Sequence, residues 1–387
     1  MLTSIRCVIM RGGTSKGVYL READLPTDPA AREKVILAIF GSPDKRQIDG
    51  LGGADPLTSK VCVIGPPRID LPQAAGSQLT YTFGQVEIDQ PHVDYHSLCG
   101  NLTSGVGAFA IRENMVAAVE PVTTVRIYNT NLDRVLICEV PVKDGMPLEI
   151  GNCAIPGVPG TGAPIIVDMA ATAATAGSAT GALLPTGNPI DRMEVPGVGT
   201  IDVSYVDIGN AHVFVRASDL GLTGTETAAE IDANGPLRAT LETIRAQAGV
   251  VMGMYADAAT ATANSPATPF VAMIAPPQDY RNVIGGCITP GMDVDFVSRL
   301  MFMQQMHKTY AGTSTVCTGI AAKIPGTIVH QAARPETRDR VEVRIGHPAG
   351  AIVTQSFVEL VGNELVVRRA TVTRTARRIM EGTVYVS

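Results

Sequence analysis

The sequence predicts an α+β protein built as two similar lobes, and three observations carry that expectation. Its 387 residues exceed the usual span of one hydrophobic core, so two domains are expected. Strand candidates rich in Val and Ile mix with a few helices without regular alternation, which argues against a doubly wound parallel sheet. A segment in the first half, Cys99-Gly100-Asn101-Leu102-Thr103-Ser104-Gly105, also has an echo in the second half, Gly312-Thr313-Ser314-Thr315-Val316-Cys317-Thr318-Gly319. Both put hydroxyl, thiol and glycine groups where a helix candidate opens; two matching lobes would explain the echo, and coincidence is the alternative.

Along the chain, strands are expected at 5–10, 61–65, 79–90, 122–129, 134–142, 201–207, 212–216, 270–275, 341–345, 351–360 and 364–373, where apolar residues dominate or alternate with polar ones. Helices are expected at 29–40, 101–117, 228–248, 293–308 and 316–323. The third of these carries Ile231, Leu237, Leu241, Ile244 and Ala248 near helical spacing. Residues 170–182 are nearly all Ala, Thr, Gly and Ser and read as a mobile connection between lobes. The similar 258–264 stretch reads as a surface loop. The lobes are then expected at 1–183, with 372–387 returning to it, and at 184–371.

Composition excludes several functions. A net charge of −6 without a long basic stretch argues against nucleic-acid binding, and aromatics at 4% with no Trp leave no stacking platform. No apolar run reaches 18 residues, so no membrane span is expected. The N-terminus lacks a basic segment followed by an apolar one, so no signal peptide is expected. Seven cysteines, odd in number and without a Cys-x-x-Cys pair, read as free thiols in a cytoplasmic, reducing setting.

The chemistry-bearing motifs are short. Arg11-Gly12-Gly13-Thr14-Ser15-Lys16-Gly17 follows an apolar strand candidate; its glycines uncover backbone amides, and its hydroxyls and cations suit a carboxylate or phosphate. It lacks the P-loop spacing, and a basic surface turn is the plain alternative. Cys99 stands where a helix starts, a position whose dipole and free amides favour a thiolate; an inert buried thiol is the alternative. Lys60 ends the loop Gly52-Gly53-Ala54-Asp55-Pro56-Leu57-Thr58-Ser59 and leads into an apolar strand, where desolvation makes an amine a usable base. A solvated loop lysine is the alternative there. Two late segments, Met306-His307-Lys308-Thr309-Tyr310 and Arg344-Ile345-Gly346-His347-Pro348-Ala349-Gly350, add cations, imidazoles and glycine amides. His92, His96 and Cys99 invite a zinc test. Pro91 and the alternation around it point to extended chain, where residues 92 and 96 lie ~13 Å apart at ~3.3 Å per residue, too far for one ion. No Gly-x-Ser-x-Gly elbow and no dinucleotide fingerprint is present. Neither metal nor cofactor is expected.

Together these motifs resemble the methylaconitate isomerase (PrpF-like) family, whose fold is that of diaminopimelate epimerase. The matching segments are residues 10–17, 52–60, Cys99-Gly100-Asn101, Pro185-Thr186-Gly187-Asn188, His347-Pro348-Ala349-Gly350 and 374–382, in family order. Residues 41–44, 46–50, 158–161 and 306–313 look most like its 3-methylitaconate Δ-isomerase branch. The resemblance implies two lobes, each a curved mixed sheet around a central helix, with the active site in the cleft between them. It implies a cofactor-independent isomerase that shifts or rotates a C=C bond in small unsaturated di- or tricarboxylates by allylic proton transfer. Lys60 and Cys99 would be the acid/base pair. Arg11, Thr14, Ser15, Lys16, Ser59, Gly100, Asn101, Thr103, Lys308, Thr313, Ser314, His347, Ala349 and Gly350 would bind substrate. Relatives also isomerise 2-methylaconitate or tautomerise 4-oxalomesaconate, and a homo-oligomer is compatible with the family. Two readings of other classes stand beside it. One is a two-thiol amino-acid epimerase using Cys99 and Cys317, in which Cys317 is offset and Val316 or Thr315 lies closer to the matching place. The other is a carboxylate-binding protein without turnover.

Overall fold

Each half of the chain folds around one buried helix. The computed structural model describes residues 3–283, 285–362 and 364–386, and the chain divides into two units, Met1–Val167 with Thr373–Ser387, and Asp168–Val372. In the first unit, β1 (Thr3–Gly12), β2 (Ser15–Arg21), β3 (Lys60–Gly65), β4 (Leu79–Val86), β5 (Val122–Asn129) and β6 (Arg134–Lys143) join the C-terminal strand Ala376–Val386. The spatial order is C-terminal strand, β1, β2, β3, β4, β5, β6, antiparallel except at β2–β3 and β4–β5. Helix α1 (Pro29–Phe40) starts on the Asp28 cap and stops at Gly41 in the left-handed conformation. Helix α2 (Gly100–Arg112) packs on β1, β2, β3, β6 and the C-terminal strand, and every residue before Arg112 is buried. Small residues permit that: a Cβ on Gly105 would meet the Tyr19 hydroxyl at 2.4 Å.

The second unit repeats the plan. Its strands are β7 (Asp191–Val195), β8 (Gly199–Ile208), β9 (Asn210–Arg216), β10 (Phe270–Ala275), β11 (Phe296–Phe302), β12 (Glu342–His347), β13 (Gly350–Val361) and β14 (Glu364–Arg374), whose last two residues, Thr373 and Arg374, belong to the first unit. They lie in chain order, antiparallel except at β9–β10 and β11–β12. The run of antiparallel and parallel pairings over β7–β13 is therefore the same as in the first unit. Helix α3 (Gly235–Val251) lies against β7, β9 and β10, while α4 (Gly312–Ala321), buried along its whole length, packs on β8, β9, β12 and β13.

Several sequence expectations are corrected. The helix expected at 293–308 is strand β11 and a two-residue turn at Met303 and Gln304, both at positive φ. Phe296, Val297, Leu300 and Met301 are all buried between β10 and β12, and a continuous apolar run of that kind does not tell strand from helix by periodicity. The 228–248 helix is two, broken at Asn234, which caps α3, with Pro236 in its first turn. The 101–117 helix ends at Arg112, and the 316–323 helix begins at Gly312. Strands β2, β7 and the C-terminal strand were not expected. The first boundary falls at Val167/Asp168 rather than at 183/184, because residues 169–183 are hydrogen-bonded into the second unit. Met169 N donates to Ala370 O, Ala174 N to Asp207 O and Ala211 N to Ala176 O. That segment is a packed strap, not a mobile connection, with Thr172 and Ala176 fully buried. Likewise 258–264 forms short helical turns, with Ala261 buried.

Candidate active site

The seven-residue motif at Arg11 is a hairpin pressed onto the start of α2. Gly12 pairs with Ser15 across the turn Gly13-Thr14, and Gly13 sits at φ +49°. A Cβ on Gly12 would lie 2.4 Å from Asn101 O, and one on Gly13 would lie 2.2 Å from Asn101 Oδ1. Only glycine allows this approach. Gly12, Gly13, Ser15 and Gly17 are buried, so the motif is not a basic surface turn. Arg11 braces it by donating to Gly13 O at 3.0 Å and Thr375 O at 2.8 Å. The Ser15 hydroxyl is buried with no hydrogen-bond partner among the described residues, a group that a bound ligand would satisfy.

Cys99 is the N-cap of α2, and its Sγ accepts from Leu102 N at 3.5 Å. Thr103 Oγ1 donates to Cys99 O at 2.9 Å, which commits that hydroxyl to the helix. The Asn101 amide is held from both ends. Its Oδ1 accepts from Arg374 Nε at 2.7 Å, and its Nδ2 donates to Thr14 Oγ1 at 3.1 Å.

Lys60 opens β3 and is 3% exposed. Register places it opposite Gln85 of β4, and its Nζ donates to Gln85 Oε1 at 2.5 Å. Gln85 cannot turn its amide round, because Nε2 already donates to Pro56 O at 3.1 Å and Ser59 O at 3.0 Å. The amine thus faces a neutral acceptor and, 5.2 Å away, the Phe83 ring. Burial pushes the Lys60 amine below its ordinary value; a thiolate at Cys99, then Cys62 and Asp55, pull it back up. Lys60 and Cys99 are therefore brought within electrostatic reach of each other. Ser59 is used structurally, donating to Val86 O and accepting from Gln47.

In the second unit, the β8–β9 turn is pressed onto α4 in the same manner. Gly209 sits at φ +69°, and its Cβ would lie 3.0 Å from Thr313 O. Asn210 Nδ2 donates to Thr313 Oγ1 at 2.9 Å. The Asn–Thr pair is inverted between units: Thr on the hairpin and Asn on the helix in the first, the reverse in the second. Thr315 Oγ1 donates to Ala311 O at 2.9 Å, as Thr103 does to Cys99 O. That alignment matches Cys99 with Ala311, the α4 N-cap, and corrects the expectation that Thr315 or Val316 stands there. Cys317 lies six residues further on, fully buried, donating to Val206 O at 3.6 Å, and burial raises its pKa well above the ordinary thiol value. A thiol so buried has little thiolate character.

His212 Nδ1 lies 2.8 Å from Asn210 O and Nε2 lies 2.7 Å from Ser314 Oγ. Burial pushes the imidazole down to about 4, so it is neutral at pH 7. A carbonyl only accepts, so Nδ1 carries the proton and Ser314 donates to Nε2. His347 Nδ1 accepts from Ala349 N at 3.2 Å, and Gly350 O accepts from Tyr280 at 2.5 Å. Lys308 is exposed on the approach to α4. Among the described residues no group of three or more His, Cys, Asp or Glu side chains is placed to hold a metal. His92 and His96 instead face Glu33 and Asp94. No helix of the described residues is long and apolar enough to cross a membrane. Gln85, Arg374, Asn210 and His212 were not singled out from sequence. Arg374 opens the family-like segment 374–382; the others lie inside strand candidates or beside one, with nothing local to mark them.

A family model described as "PrpF protein" matches residues 2–387. The chain belongs to the PrpF family. This PrpF-family chain is 54% identical over 382 residues to the 3-methylitaconate isomerase of Eubacterium barkeri, covering 99% of this chain and 97% of that one. It is 38% identical over 392 residues to the 2-methyl-aconitate isomerase of Shewanella oneidensis, covering 99% and 96%. A crystal structure of methylitaconate-delta-isomerase matches with a TM-score of 0.81 at 53% identity, over 100% of this chain and 96% of that one. A hydroxyproline epimerase from Agrobacterium vitis matches with a TM-score of 0.57 at 11% identity, over 99% and 93%, which shows a shared fold. The expected family and the epimerase-type α+β fold both hold.

Proposed function

We propose that this PrpF-family chain is a cofactor-independent isomerase of small unsaturated carboxylates, and that 3-methylitaconate is its substrate. The observation that carries the chemistry is Lys60: a buried amine, on a neutral amide acceptor, within electrostatic reach of the Cys99 thiol. The full-length 54% identity to a 3-methylitaconate isomerase supports the substrate.

In this reading Lys60 Nζ, as the neutral amine, takes the proton from the allylic carbon that bears the methyl group. The electron pair delocalises over the allyl unit to the methylene carbon and into the carboxylate borne by the deprotonated carbon. The Cys99 thiol then delivers a proton to the methylene terminus, and the C=C bond has moved by one position. The enzyme is left as ammonium and thiolate, and proton transfer between them, directly or through water, resets it. Charge that builds on the carboxylate is met by the buried hydroxyl of Ser15 and the hairpin's donors. Against the two-thiol epimerase reading stands the place of its second thiol, Cys317, which is buried and donates to the Val206 carbonyl inside its unit.

Turnover of 3-methylitaconate in deuterated water, followed by NMR, tests this. The expected result is loss of the methylene signals and deuterium in the methyl group that replaces them. Turnover of 2-methylaconitate but not of 3-methylitaconate would move the substrate assignment. Absence of exchange with either would refute the isomerase reading.

A further inference from the structure

Arg374 is the last residue of β14, and only 1% of it is exposed. A guanidinium is costly to bury, and burial pushes this one down to about 10. Its place explains the expense. The Nε donates to Asn101 Oδ1 at 2.7 Å, one NH2 group donates to Thr373 O at 3.0 Å, and the side chain is wedged against the Gly13 turn, where a Cβ would meet Arg374 Cδ at 2.7 Å. Asn101 lies two residues beyond Cys99 on the first turn of α2, and passes the contact on to Thr14. A thiolate at Cys99 is the first of the charges that oppose the effect of burial on Arg374, followed by Cys153. One side chain therefore touches the hairpin turn and the helix start, and brings a fixed positive charge within reach of the thiol.

We propose that Arg374 is a positioning residue for the Cys99 site, orienting the Asn101 amide and supplying a positive charge to a thiolate formed at Cys99. Its kinetic consequence rests on the isomerase reading above; its effect on the thiol does not. Two functions of the guanidinium are separable. A lysine keeps the charge but cannot present the same planar donor to Asn101, and a methionine keeps neither.

The test compares wild type, Arg374→Lys and Arg374→Met, each checked by thermal melting. The rate of Cys99 alkylation by iodoacetamide at pH 7 is read by mass spectrometry of the Cys99 peptide, which separates it from the exposed Cys287 and half-buried Cys153. Turnover of 3-methylitaconate is measured in parallel. Arg374→Lys is expected to keep Cys99 alkylation near the wild-type rate and to lose about tenfold in kcat with little change in KM, the loss of a misplaced Asn101. Arg374→Met is expected to lose about tenfold in alkylation as well. Wild-type alkylation and kcat in a folded Arg374→Met would overturn the proposal. If Arg374→Met does not fold, Arg374→Lys decides: wild-type kcat, or alkylation lost as well, would overturn it. If the protein turns over no 3-methylitaconate, the isomerase reading fails, and the alkylation series still tests the charge at Cys99.

Discussion

Gln85→Glu isolates the environment of Lys60 from its presence. In the native site the amine donates to a neutral amide oxygen at 2.5 Å, and the two Gln85 N–H bonds to Pro56 and Ser59 lock that polarity. A glutamate would put a carboxylate against the ammonium form. Two unit charges ~4 Å apart at an effective dielectric of ~20 attract by ~4 kcal/mol. Burying the carboxylate and facing it toward two carbonyls takes back about half, leaving ~2 kcal/mol, equivalent to ~30-fold. The sign follows from the role. Burial depresses the native amine, a carboxylate raises it, and the base must be neutral to accept a proton. The acid limb of log kcat/KM against pH is therefore expected to move to higher pH, with kcat/KM at pH 7 down by ~30-fold and recovered at higher pH. A melting curve close to wild type qualifies the variant for comparison. An unmoved acid limb in the folded variant would show that Lys60 is not the base. A rise in activity at pH 7 would show that the ammonium form is the working one.

Three further outcomes are expected. Lys60→Ala and Cys99→Ser should each lose at least ~10²-fold in turnover with the melt preserved, while Cys317→Ser, which keeps a donor for Val206 O, should retain most activity; equal loss in Cys99→Ser and Cys317→Ser would restore the two-thiol mechanism. Glu113, at the C-cap of α2 with its side chain 4% exposed, is pushed up by burial, but hydrogen bonds from Arg6, Arg378 and Arg21 outweigh this and hold it at about 2 against an ordinary 4.5. Its contribution is fully present above pH 4.5 and is lost as pH falls toward 2. That gap corresponds to ~3 kcal/mol, trimmed to ~2 kcal/mol by solvent around the half-exposed Arg6 and Arg21. Glu113→Gln should therefore melt lower at pH 7 and lose less on acidification, and parallel melting-versus-pH curves would count against the cluster. Gly13→Ala must place a Cβ 2.2 Å from Asn101 Oδ1 at φ +49°, so it should lose both activity and stability; an unchanged melt would show that the hairpin is not held against α2.

The sequence determined what depends on neighbouring residues. Glycines flanking a hydroxyl mark the Arg11–Gly17 turn because only glycine reaches φ +49° cheaply with a backbone against it. Cys99 followed by Gly100-Asn101 marks a helix start because capping is settled within one turn. Their order along the chain sufficed for the family and, through it, the fold. Tertiary structure decided what depends on distant pairing. Whether residues 296–302 are helix or strand turned on β10 and β12 closing on both sides of them. That Lys60 faces an amide and not a carboxylate is a matter of β3–β4 register, 25 residues away. That Cys317 lies buried inside its helix while Cys99 caps one needed the helix start at Gly312, ahead of the 316–323 candidate. Arg374 meets Asn101 across 273 residues. A buried cation's partners and its proton affinity are properties of the packed interior, and no local pattern encodes which chain segments will meet there.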